Sequence, residues 1–466
     1  MPLADIDTIV VVMLENRSFD HMCGYLSLPG AAPPLPVDGL RPGSTWSDPL
    51  ANEYGGKVYP LNRLGPEIQA IDDPTHDHTA IQVQIAQTPA GGAPAQMGGF
   101  VESYARFAPT PPADLSRVMG YYDAESVPIF DFFARHFVIC DRWFAPLPTG
   151  TQANRLMAMG GESRVLDDVH VLPQQDLVYD WLTKNGVRWC AYQSGGMFPF
   201  FSLMPSWEAE IATSLAYSLT GGRGRFRLYD RFREEWMDPA PMPQVIFIEP
   251  EYTNGPHHDP NDDHPPTGVA KGQALVSDIY GILIANPARW ANTVLIVSYD
   301  EHGGFFDHVP PLPIAGSGGG YPFATSGVRV PAFVVSPHVA SGKAHSRPLD
   351  HTSILQLLAE RFTPGRDYSP AVAARQPQLS PLSAVFEPSA TLRRPAPAAA
   401  TVSALNSVAA AAPVPPAAGA DLGDATTAQA FHLLADRIVQ RHPDLPIALN
   451  ATTPPSVSSP SPSGNT

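Results

Sequence analysis

Cysteine is scarce in this chain, with three residues among 466. Their spacing matches no zinc knuckle and no CxxC pair, and an odd number argues against a fold held only by disulfides. Cys140 and Cys190 lie in apolar, strand-like surroundings, where we expect them to be small buried hydrophobic residues. The chain must therefore be stabilised by an apolar core, and its hydrophobic content of 44% is ample for one.

Lysine is nearly as rare, with four residues, and the formal net charge at pH 7 is −16. An acidic surface repels nucleic-acid phosphates and the sequence has no basic groove, so we expect no nucleic-acid partner. The same surface would repel a small anionic substrate unless the site itself supplied positive charge. A bound metal ion is the simplest source of that charge.

Long apolar runs are also missing. The first run, Ile9 to Leu14, is far too short to span a membrane, although a transient contact with a membrane surface stays compatible with the sequence. No basic segment with a cleavage site precedes this run. The sequence as written therefore predicts no signal peptide and a cytoplasmic location.

Short apolar runs alternate with segments of helical periodicity, such as 268–285 and 351–362. This βαβα order predicts an α/β fold with a mostly parallel sheet, helices on both faces and long covering loops such as 28–70. Composition changes after position 386. We expect one folded domain over 1–386, a Pro/Ala-rich linker over 387–427, a short amphipathic helix over 428–441 and a disordered tail over 442–466.

Two of the predicted strands end in polar side chains. The first stops at Glu15 and Asn16, and the strand near position 298 continues into Asp300 and Glu301, followed by the turn-forming pair Gly303–Gly304. Sites in open α/β sheets form at the carboxyl ends of strands, and these oxygens suit Zn²⁺, Ca²⁺, Mn²⁺ or iron. The two ends predict the halves of a divalent-metal site. The alternative is that they are solvated polar turns.

A third polar segment, from Thr149 to Arg155, precedes an apolar run with helical spacing. A threonine here is first of all a candidate N-cap. The functional alternative is an anion-binding site at the same position, because free N–H groups and the dipole at a helix N-terminus favour an anion. A metal beside such a hydroxyl would lower its pKa and produce an alkoxide nucleophile.

Histidines are concentrated in two Asp-rich loops. One loop contains His76 and His78, and the other contains His257, His258 and His264. An imidazole can hydrogen-bond a phosphoryl oxygen or protonate a leaving alcohol, whereas an isolated loop histidine is usually only solvated. We expect His76 and His264, rather than His257 and His258, to take part in a site.

Four spaced motifs together resemble the bacterial phosphoesterase family, which includes phospholipases C and an acid phosphatase branch. The motifs are Glu15 to His21, Thr151 to Arg155, Asp263 to Pro265 and Tyr299 to Val309. The resemblance runs from about Ile6 to about Phe362, with Asp350 to Ile354 as its last clear marker. It implies an alkaline-phosphatase-like α/β fold.

The resemblance also implies roles for individual residues. Thr151 would be the nucleophile. The metal ligands would be Glu15, Asn16, Asp300 and Glu301. The residues near the phosphate would be His76, Asp263, His264 and, with the weakest match, His308. Substrate would be bound by Asn154, Arg155 and His351.

The sequence departs from the family pattern in three places. Ala153 replaces the usual proline in the Thr151 motif, which could loosen the loop that presents Thr151. A glycine-rich family segment is only partly matched at Gln96 to Phe100, and the twin-arginine export signal common in the family is missing. The first two departures concern substrate preference and the third concerns location.

The residues and the resemblance together predict a metal-dependent phosphoesterase of the phospholipase C type. Aromatic residues in loops 28–70 and 194–240 would suit a choline head group through cation–π contact; they are Trp46, Tyr54, Phe198, Phe200, Phe201 and Trp207. One alternative is an acid phosphatase acting on monoesters, and another is a non-catalytic binding protein on the same fold. A sulfatase is disfavoured because no Cys/Ser-x-Pro-x-Arg window is present.

Overall fold

A computed structural model describes residues 3–31, 33–41, 50–86, 97–108, 110–195, 199–252, 260–314, 323–386, 430–431 and 433–434. Its strands are β1 Thr8–Leu14, β2 Asn52–Tyr54, β3 Lys57–Tyr59, β4 Asn62–Arg63, β5 Gly120–Tyr121, β6 Val138–Ile139, β7 Trp143–Phe144, β8 Trp189–Gln193, β9 Phe226–Leu228, β10 Val245–Glu249, β11 Thr293–Tyr299, β12 Ala332–Val335, β13 Lys343–Ala344 and β14 Leu349–Asp350. Its helices are α1 Phe19–Cys23, α2 His78–Ala86, α3 Phe100–Phe107, α4 Pro128–His136, α5 Thr151–Gly160, α6 Val178–Lys184, α7 Pro205–Leu219, α8 Phe232–Met237, α9 Ala270–Ile284, α10 Pro287–Trp290, α11 Thr352–Phe362 and α12 Pro370–Arg375.

Eight of these strands form one central sheet, in the order β13-β6-β12-β11-β1-β10-β8-β9. β1 pairs in parallel with β10 on one side and with β11 on the other, and β8 and β9 extend the parallel run. Within this sheet, β12 runs antiparallel to both of its neighbours. The predicted mostly parallel sheet is confirmed.

Helices cover both faces of the sheet, as predicted. Successive side chains of a strand point to opposite faces. On one face, Val11 and Met13 of β1 meet residues of α5 and α11 around a small cavity of about 30 Å³. On the other face, Phe130 of α4 stacks on Phe333 of β12 with ring centroids 5.4 Å apart. Because both faces are covered, β1 and β11 are almost wholly apolar along their length.

Two predicted segments differ from the structure in extent. The apolar run from Val328 to Val335 predicts a strand, but β12 begins at Ala332, because Pro331 cannot donate to a ladder and Arg329 before it makes buried ion pairs. The stretch 28–70 is not only loop, since β2 and β3 form an antiparallel hairpin. Residues 42–49 of that stretch lie outside the described residues.

The C-terminal part of the chain is described only in a short helical segment, residues 430–431 and 433–434. This segment falls within the helix expected over 428–441. The linker and tail predicted over 387–427 and 442–466 lie outside the described residues, so that domain division stays a prediction. In the part of the chain that is described, no helix is both long and apolar enough to cross a membrane.

The three cysteines are free and buried. Burial raises the pKa of the Cys140 thiol, and it does the same for Cys190. Both residues therefore behave as the small hydrophobic side chains that were expected.

Candidate active site

The polar ends of β1 and β11 lie side by side at one edge of the sheet. Leu14 pairs with Tyr299 in the parallel register, so the residues that follow them begin at the same level. The backbone N–H of Asn16 donates to Asp300 Oδ1 at 3.1 Å. The two segments predicted as halves of one site are therefore in direct contact.

The turns after the two strands fit together because Gly303 has no side chain. Gly303 has φ +61°, and a Cβ placed on it would lie 2.1 Å from the backbone oxygen of Asn16. Asn16 itself has φ +61°, a left-handed conformation that asparagine tolerates better than most residues. The unusual turn predicted at Gly303–Gly304 is confirmed, since both have positive φ.

Thr151 lies at this same edge, as the first residue of α5. The N-cap of α5 is Gly150, so the interpretation of Thr151 as a side-chain N-cap is wrong. Its hydroxyl donates instead to Asn16 Oδ1 at 3.3 Å. The next N–H of the helix, at Gln152, donates to Asp168 Oδ1 at 3.0 Å, so a carboxylate already lies at this helix N-terminus.

Asn154 shapes the loop that carries Thr151. Its side-chain carbonyl accepts from the Leu147 N–H at 2.9 Å, and its amide nitrogen donates to the carbonyls of Thr149 and Gly150 at 2.7 and 3.0 Å. Its polar atoms are thus engaged within the chain. These contacts support a positioning role and not the predicted contact with substrate.

His76 and His264 face each other beside Asn16, with ring centroids 5.7 Å apart. His76 Nδ1 is 2.8 Å from the Pro74 carbonyl, which makes Nδ1 the donor, and Nε2 accepts from the Asn16 amide at 2.9 Å. His264 Nδ1 contacts the Pro265 carbonyl, while its Nε2 is buried without a hydrogen-bond partner. One imidazole therefore supports Asn16, and the other presents an unpaired nitrogen.

The adjacent residues Asp262 and Asp263 make contacts with different parts of the fold. Asp263 has φ +76° and accepts a hydrogen bond from Tyr299 at 2.5 Å, and burial raises its pKa to about 7. Asp262 is linked to the end of β1, because its carbonyl accepts from the Glu15 N–H at 2.7 Å. The predicted place of Asp263 near the phosphate is not supported by these contacts.

Asp262 was missed by the sequence analysis. Burial raises its pKa well above the usual value, and its Oδ2 is buried without a hydrogen-bond partner. Its charge in turn helps to raise the pKa of Glu15. No sequence signal separates Asp262 from Asp263, since the distinction depends on the left-handed backbone at Asp263.

Arg155 lies among the carboxylates of this edge. Its guanidinium is 3.0 Å from Glu15 Oε1 and 3.2 Å from Asp300 Oδ2. A longer contact of 4.0 Å reaches Glu249 at the end of β10. Arg155 was predicted to bind substrate, but in the structure its charge is directed at these acidic groups.

Two aromatic rings enclose the same guanidinium. The Arg155 carbon Cζ lies 4.9 Å from the ring centre of Phe200 and 5.0 Å from that of Tyr252. The Tyr252 hydroxyl contacts Arg155 at 2.9 Å and also donates to Glu249. The ring of Phe200 therefore makes its cation–π contact with Arg155 of the protein itself. Phe201 and Trp207 are buried in the core. Trp46 and Phe198 lie outside the described residues.

His351 supports the Asp300 turn from behind. The indole of Trp143 donates to His351 Nδ1 at 2.9 Å, so Nε2 carries the hydrogen and donates to the Asp300 carbonyl at 2.6 Å. Burial lowers the pKa of His351 to about 4, which keeps the ring neutral. Both nitrogens are used within the protein, which supports a positioning role and not the predicted contact with substrate.

His308 belongs to a different network, further along the same two segments. Its Nδ1 is 2.6 Å from Asp20 Oδ2 and its Nε2 is 3.4 Å from Asp38. Arg329 bridges Asp20 at 3.1 Å and Asp307 at 2.9 Å. These contacts explain His308 as part of an ion-pair network, and they do not support a catalytic role for it.

Two clusters could hold a cation, and their chemistry differs. In the described part of the chain, the ligand atoms of Asp20, Asp307 and His308 come within 4.8 Å of one another. However, Asp20 raises the pKa of His308 to about 9 against the effect of burial, so His308 is itself a cation at neutral pH. That cluster is already neutralised by protein charges.

The cluster at the ends of β1 and β11 has unsatisfied oxygens. Glu301 Oε1 is buried and accepts no hydrogen bond, and the buried Glu15 Oε1 is paired by charge with Arg155 at 3.0 Å. Burial raises the pKa of Glu15 well above its usual value and raises that of Asp300, and Arg155 offsets this only in part. Burial also raises the pKa of Glu301, but His76 and His302 bring it below its usual value. A hard divalent cation would satisfy these atoms, so the residues fit one.

A mostly parallel α/β sheet with a hydroxyl, paired carboxylates and an unpaired imidazole at its carboxyl edge defines an enzyme suited to chemistry on an anionic ester. The family model for the Phosphoesterase family matches residues 6–363, and the chain belongs to this family. Non-specific phospholipase C3 of Arabidopsis thaliana is 31% identical over 386 residues, which cover 77% of this chain and 69% of that protein. Phospholipase C A of Mycobacterium tuberculosis is 31% identical over 406 residues, covering 77% of this chain and 73% of that protein.

Solved structures show only distant similarity. A protein of the alkaline phosphatase superfamily from Vibrio parahaemolyticus has a TM-score of 0.31 at 11% identity, over 51% of this chain and 60% of that one. The PsFucS1 sulfatase from Pseudoalteromonas sp. has a TM-score of 0.34 at 11% identity, over 76% of this chain and 67% of that one. A structural similarity this weak supports no assignment of function. Family membership confirms the predicted enzyme class, a hydrolase of phosphoric esters, over the non-catalytic alternative.

Proposed function

We propose that the chain hydrolyses phosphodiesters of the phospholipid type, with Thr151 as nucleophile beside a divalent metal ion. The observation that carries this proposal is the contact of 3.3 Å between the Thr151 hydroxyl and Asn16, which brings a helix N-terminus onto the joined ends of β1 and β11. The names of the relatives as phospholipases C support the diester as substrate.

The metal would be held by oxygens at the two strand ends, from Glu15, Asn16, Asp300 and Glu301. When bound, the metal ion would lower the pKa of a neighbouring hydroxyl and would place positive charge beside a phosphoryl oxygen. The buried Glu301 Oε1, which accepts no hydrogen bond, supports this assignment. Among the described residues, Arg155 places its guanidinium against these groups and holds Glu15 and Asp300 in place.

The chain's own residues then divide the reaction between them. With its proton lost to solvent, Thr151 Oγ1 attacks phosphorus in line with the leaving oxygen, and a threonine phosphodiester that keeps the head group forms as the bond to the alcohol breaks. His264 in its charged form gives the proton of Nε2 to the departing alkoxide. In the second step, the neutral Nε2 takes a proton from the water that hydrolyses this threonine ester, which releases the phosphorylated head group and the Thr151 alkoxide. Asn16 and His76 position the hydroxyl through their shared hydrogen bond.

Replacing the hydroxyl tests the proposal most simply. We expect Thr151→Ala to lower kcat by at least about 10³-fold on p-nitrophenyl phosphorylcholine, because the covalent step is removed. Thr151→Ser keeps a hydroxyl on the same atom position and serves as the matched control, which should retain most activity. Both variants should keep the wild-type circular dichroism. An alanine variant with near wild-type turnover would exclude Thr151 as the nucleophile.

The same assay separates the diesterase from the acid phosphatase alternative. We expect p-nitrophenyl phosphorylcholine to be cleaved with a higher kcat/KM than p-nitrophenyl phosphate at every pH tested. The reverse preference would favour the monoester alternative, for which the same metal and nucleophile would serve. Phe200 packs on Arg155, and Phe201 and Trp207 are buried in the core, so these three rings give the diester preference no support.

A further inference from the structure

The loop that carries His264 is tied to the end of β1 by one fully buried arginine, Arg17. Arg17 Nε donates to the Asp263 carbonyl and Nη2 donates to the Thr267 carbonyl, each at 2.9 Å. The backbone N–H of Arg17 donates to the Glu301 carbonyl at 3.1 Å. A single residue therefore connects the His264 loop to the end of β1 and to the turn that follows β11.

The guanidinium of Arg17 is used to hold fixed acceptors. Besides the two carbonyls, its Nη1 lies 3.2 Å from His21 Nε2. His21 Nδ1 is 2.8 Å from the Gly120 carbonyl and donates to it, which leaves Nε2 as an acceptor. Burial, together with the charge of Arg17, lowers the pKa of His21 well below its usual value, so the ring is neutral. A planar guanidinium bonded to three acceptors fixes their spacing in a way that the ammonium of lysine cannot.

The backbone of His264 is held on both sides, and its Nε2 is not. The His264 N–H donates to Asp262 Oδ1 at 3.0 Å, and the His264 carbonyl accepts from the Thr267 N–H at 2.9 Å. Its Nδ1 contacts the Pro265 carbonyl, while Nε2 is buried without a hydrogen-bond partner. The direction of Nε2 therefore depends on the backbone of this loop, which Arg17 bonds just before and just after His264.

Tyr299, the last residue of β11, gives the loop a second support. Its hydroxyl donates to Asp263 Oδ2 at 2.5 Å. Asp263 is thus held through its carbonyl by Arg17 and through its carboxyl group by Tyr299. Because Tyr299 pairs in register with Leu14 of β1, both supports of the loop begin at the joined strand ends.

We propose that Arg17 and Tyr299 are positioning residues for His264, which point its Nε2 at the leaving oxygen. This inference rests on the proposed function, because it concerns the proton that charged His264 gives to the departing alkoxide. An alkoxide is strongly basic and needs that proton as its bond to phosphorus breaks, whereas p-nitrophenolate is stable enough to leave without it. A displaced Nε2 therefore slows the cleavage of alkyl esters much more than that of p-nitrophenyl esters.

The test compares two soluble phosphorylcholine esters in variants of the full chain. Tyr299→Phe removes the hydroxyl that holds Asp263, and Arg17→Lys keeps the charge but loses the paired carbonyl bonds. We expect each variant to lower kcat/KM on dihexanoylphosphatidylcholine by at least about tenfold, and on p-nitrophenyl phosphorylcholine by less than about threefold. The ratio kcat/KM is compared because it reports the steps up to release of the alcohol.

The matched control is Tyr192→Phe. Tyr192 also donates its hydroxyl to a buried carboxylate, Glu235, at 2.7 Å, but it has no contact with the His264 loop. This variant should resemble wild type on both esters. A disturbance of the metal ligands next to Tyr299 would lower both esters alike, so equal losses on the two esters, or no loss on either, would overturn the positioning role. If Arg17→Lys fails to fold, Tyr299→Phe decides the question.

Amide hydrogen exchange gives a readout that does not depend on turnover. The Thr267 N–H, which donates to the His264 carbonyl, should exchange severalfold faster in Tyr299→Phe and Arg17→Lys than in wild type or Tyr192→Phe. Unchanged exchange at Thr267 would overturn the proposal. A wild-type protein that cleaves neither ester would instead refute the proposed function, and the exchange at Thr267 would still decide whether these two residues hold the loop.

Discussion

Two buried acidic clusters draw on the same pair of chain segments, those following β1 and β11. The first combines Glu15 and Asn16 with Asp300 and Glu301 at the strand ends. The second combines Asp20 with Asp307 and His308 a few residues further along. Both contain carboxylates, an arginine and histidine, so residue type alone does not distinguish them.

The clusters differ in how completely the carboxylates are satisfied. In the second cluster, all four oxygens of Asp20 and Asp307 accept hydrogen bonds, from Arg329, His308 and backbone N–H groups. In the first, Glu301 Oε1 is buried and accepts none, and Glu15 Oε1 shares the charge of Arg155 with Asp300. Buried charge persists only where something compensates for it. The satisfied cluster therefore holds the fold together, and the unsatisfied one calls for a ligand of positive charge.

The largest expected effect is on activity, from a change in the first cluster. Glu15→Gln should lower kcat/KM by at least about 100-fold, because it removes a charged ligand from the site. The midpoint of thermal unfolding should fall only slightly, because Arg155 keeps Asp300 at 3.2 Å as a charged partner and burial raises the pKa of Glu15. Steady-state kinetics with a thermal melt checks both. A strong loss of stability would show that Glu15 is structural.

The opposite outcome is expected in the second cluster. Asp307→Asn should lower the free energy of unfolding by about 3–5 kcal/mol, because it leaves Arg329 buried and underpaired. The activity of the molecules that remain folded should stay within about threefold of wild type. Urea unfolding, with activity measured well below the midpoint, checks this prediction. An inactive but stable variant would reverse the roles of the two clusters.

A smaller effect concerns pH. The pKa of His308 is about 9 in the folded protein, against about 6.5 when unfolded. Its contribution is therefore complete below pH 6.5 and is lost as pH rises through 9. We expect about 2–3 kcal/mol of pH-dependent stability from this group, and His308→Gln should flatten the curve over that range. A wild-type stability that rises from pH 6.5 to 9 would contradict the assignment.

Much of this comparison could be predicted from the sequence. The apolar runs ending at Glu15 and Asp300 indicated parallel strands, and parallel neighbours bring their carboxyl ends together. The order of the strands in the sheet, which makes β1 and β11 neighbours, depends on packing across the whole domain. The contact between Thr151 and Asn16 follows from that order.

Other features depend on backbone direction and on partners distant in sequence. Asp262 differs from Asp263 only because a left-handed residue turns the second away toward Tyr299. Arg155 and His351 were expected to bind substrate, yet their partners are Glu15, Asp300 and Trp143, which no local pattern identifies. The two clusters differ in how many of their carboxylate oxygens accept hydrogen bonds. That difference depends on the folded chain and not on the local sequence.

Metal content, measured by mass spectrometry on purified variants, tests the central claim most directly. The claim is that the unsatisfied cluster, and not the satisfied one, binds the cation. We predict that Glu15→Gln and Glu301→Gln lose the metal found in the wild-type protein, while Asp307→Asn keeps it. Metal lost from Asp307→Asn and retained in both glutamine variants would contradict the account.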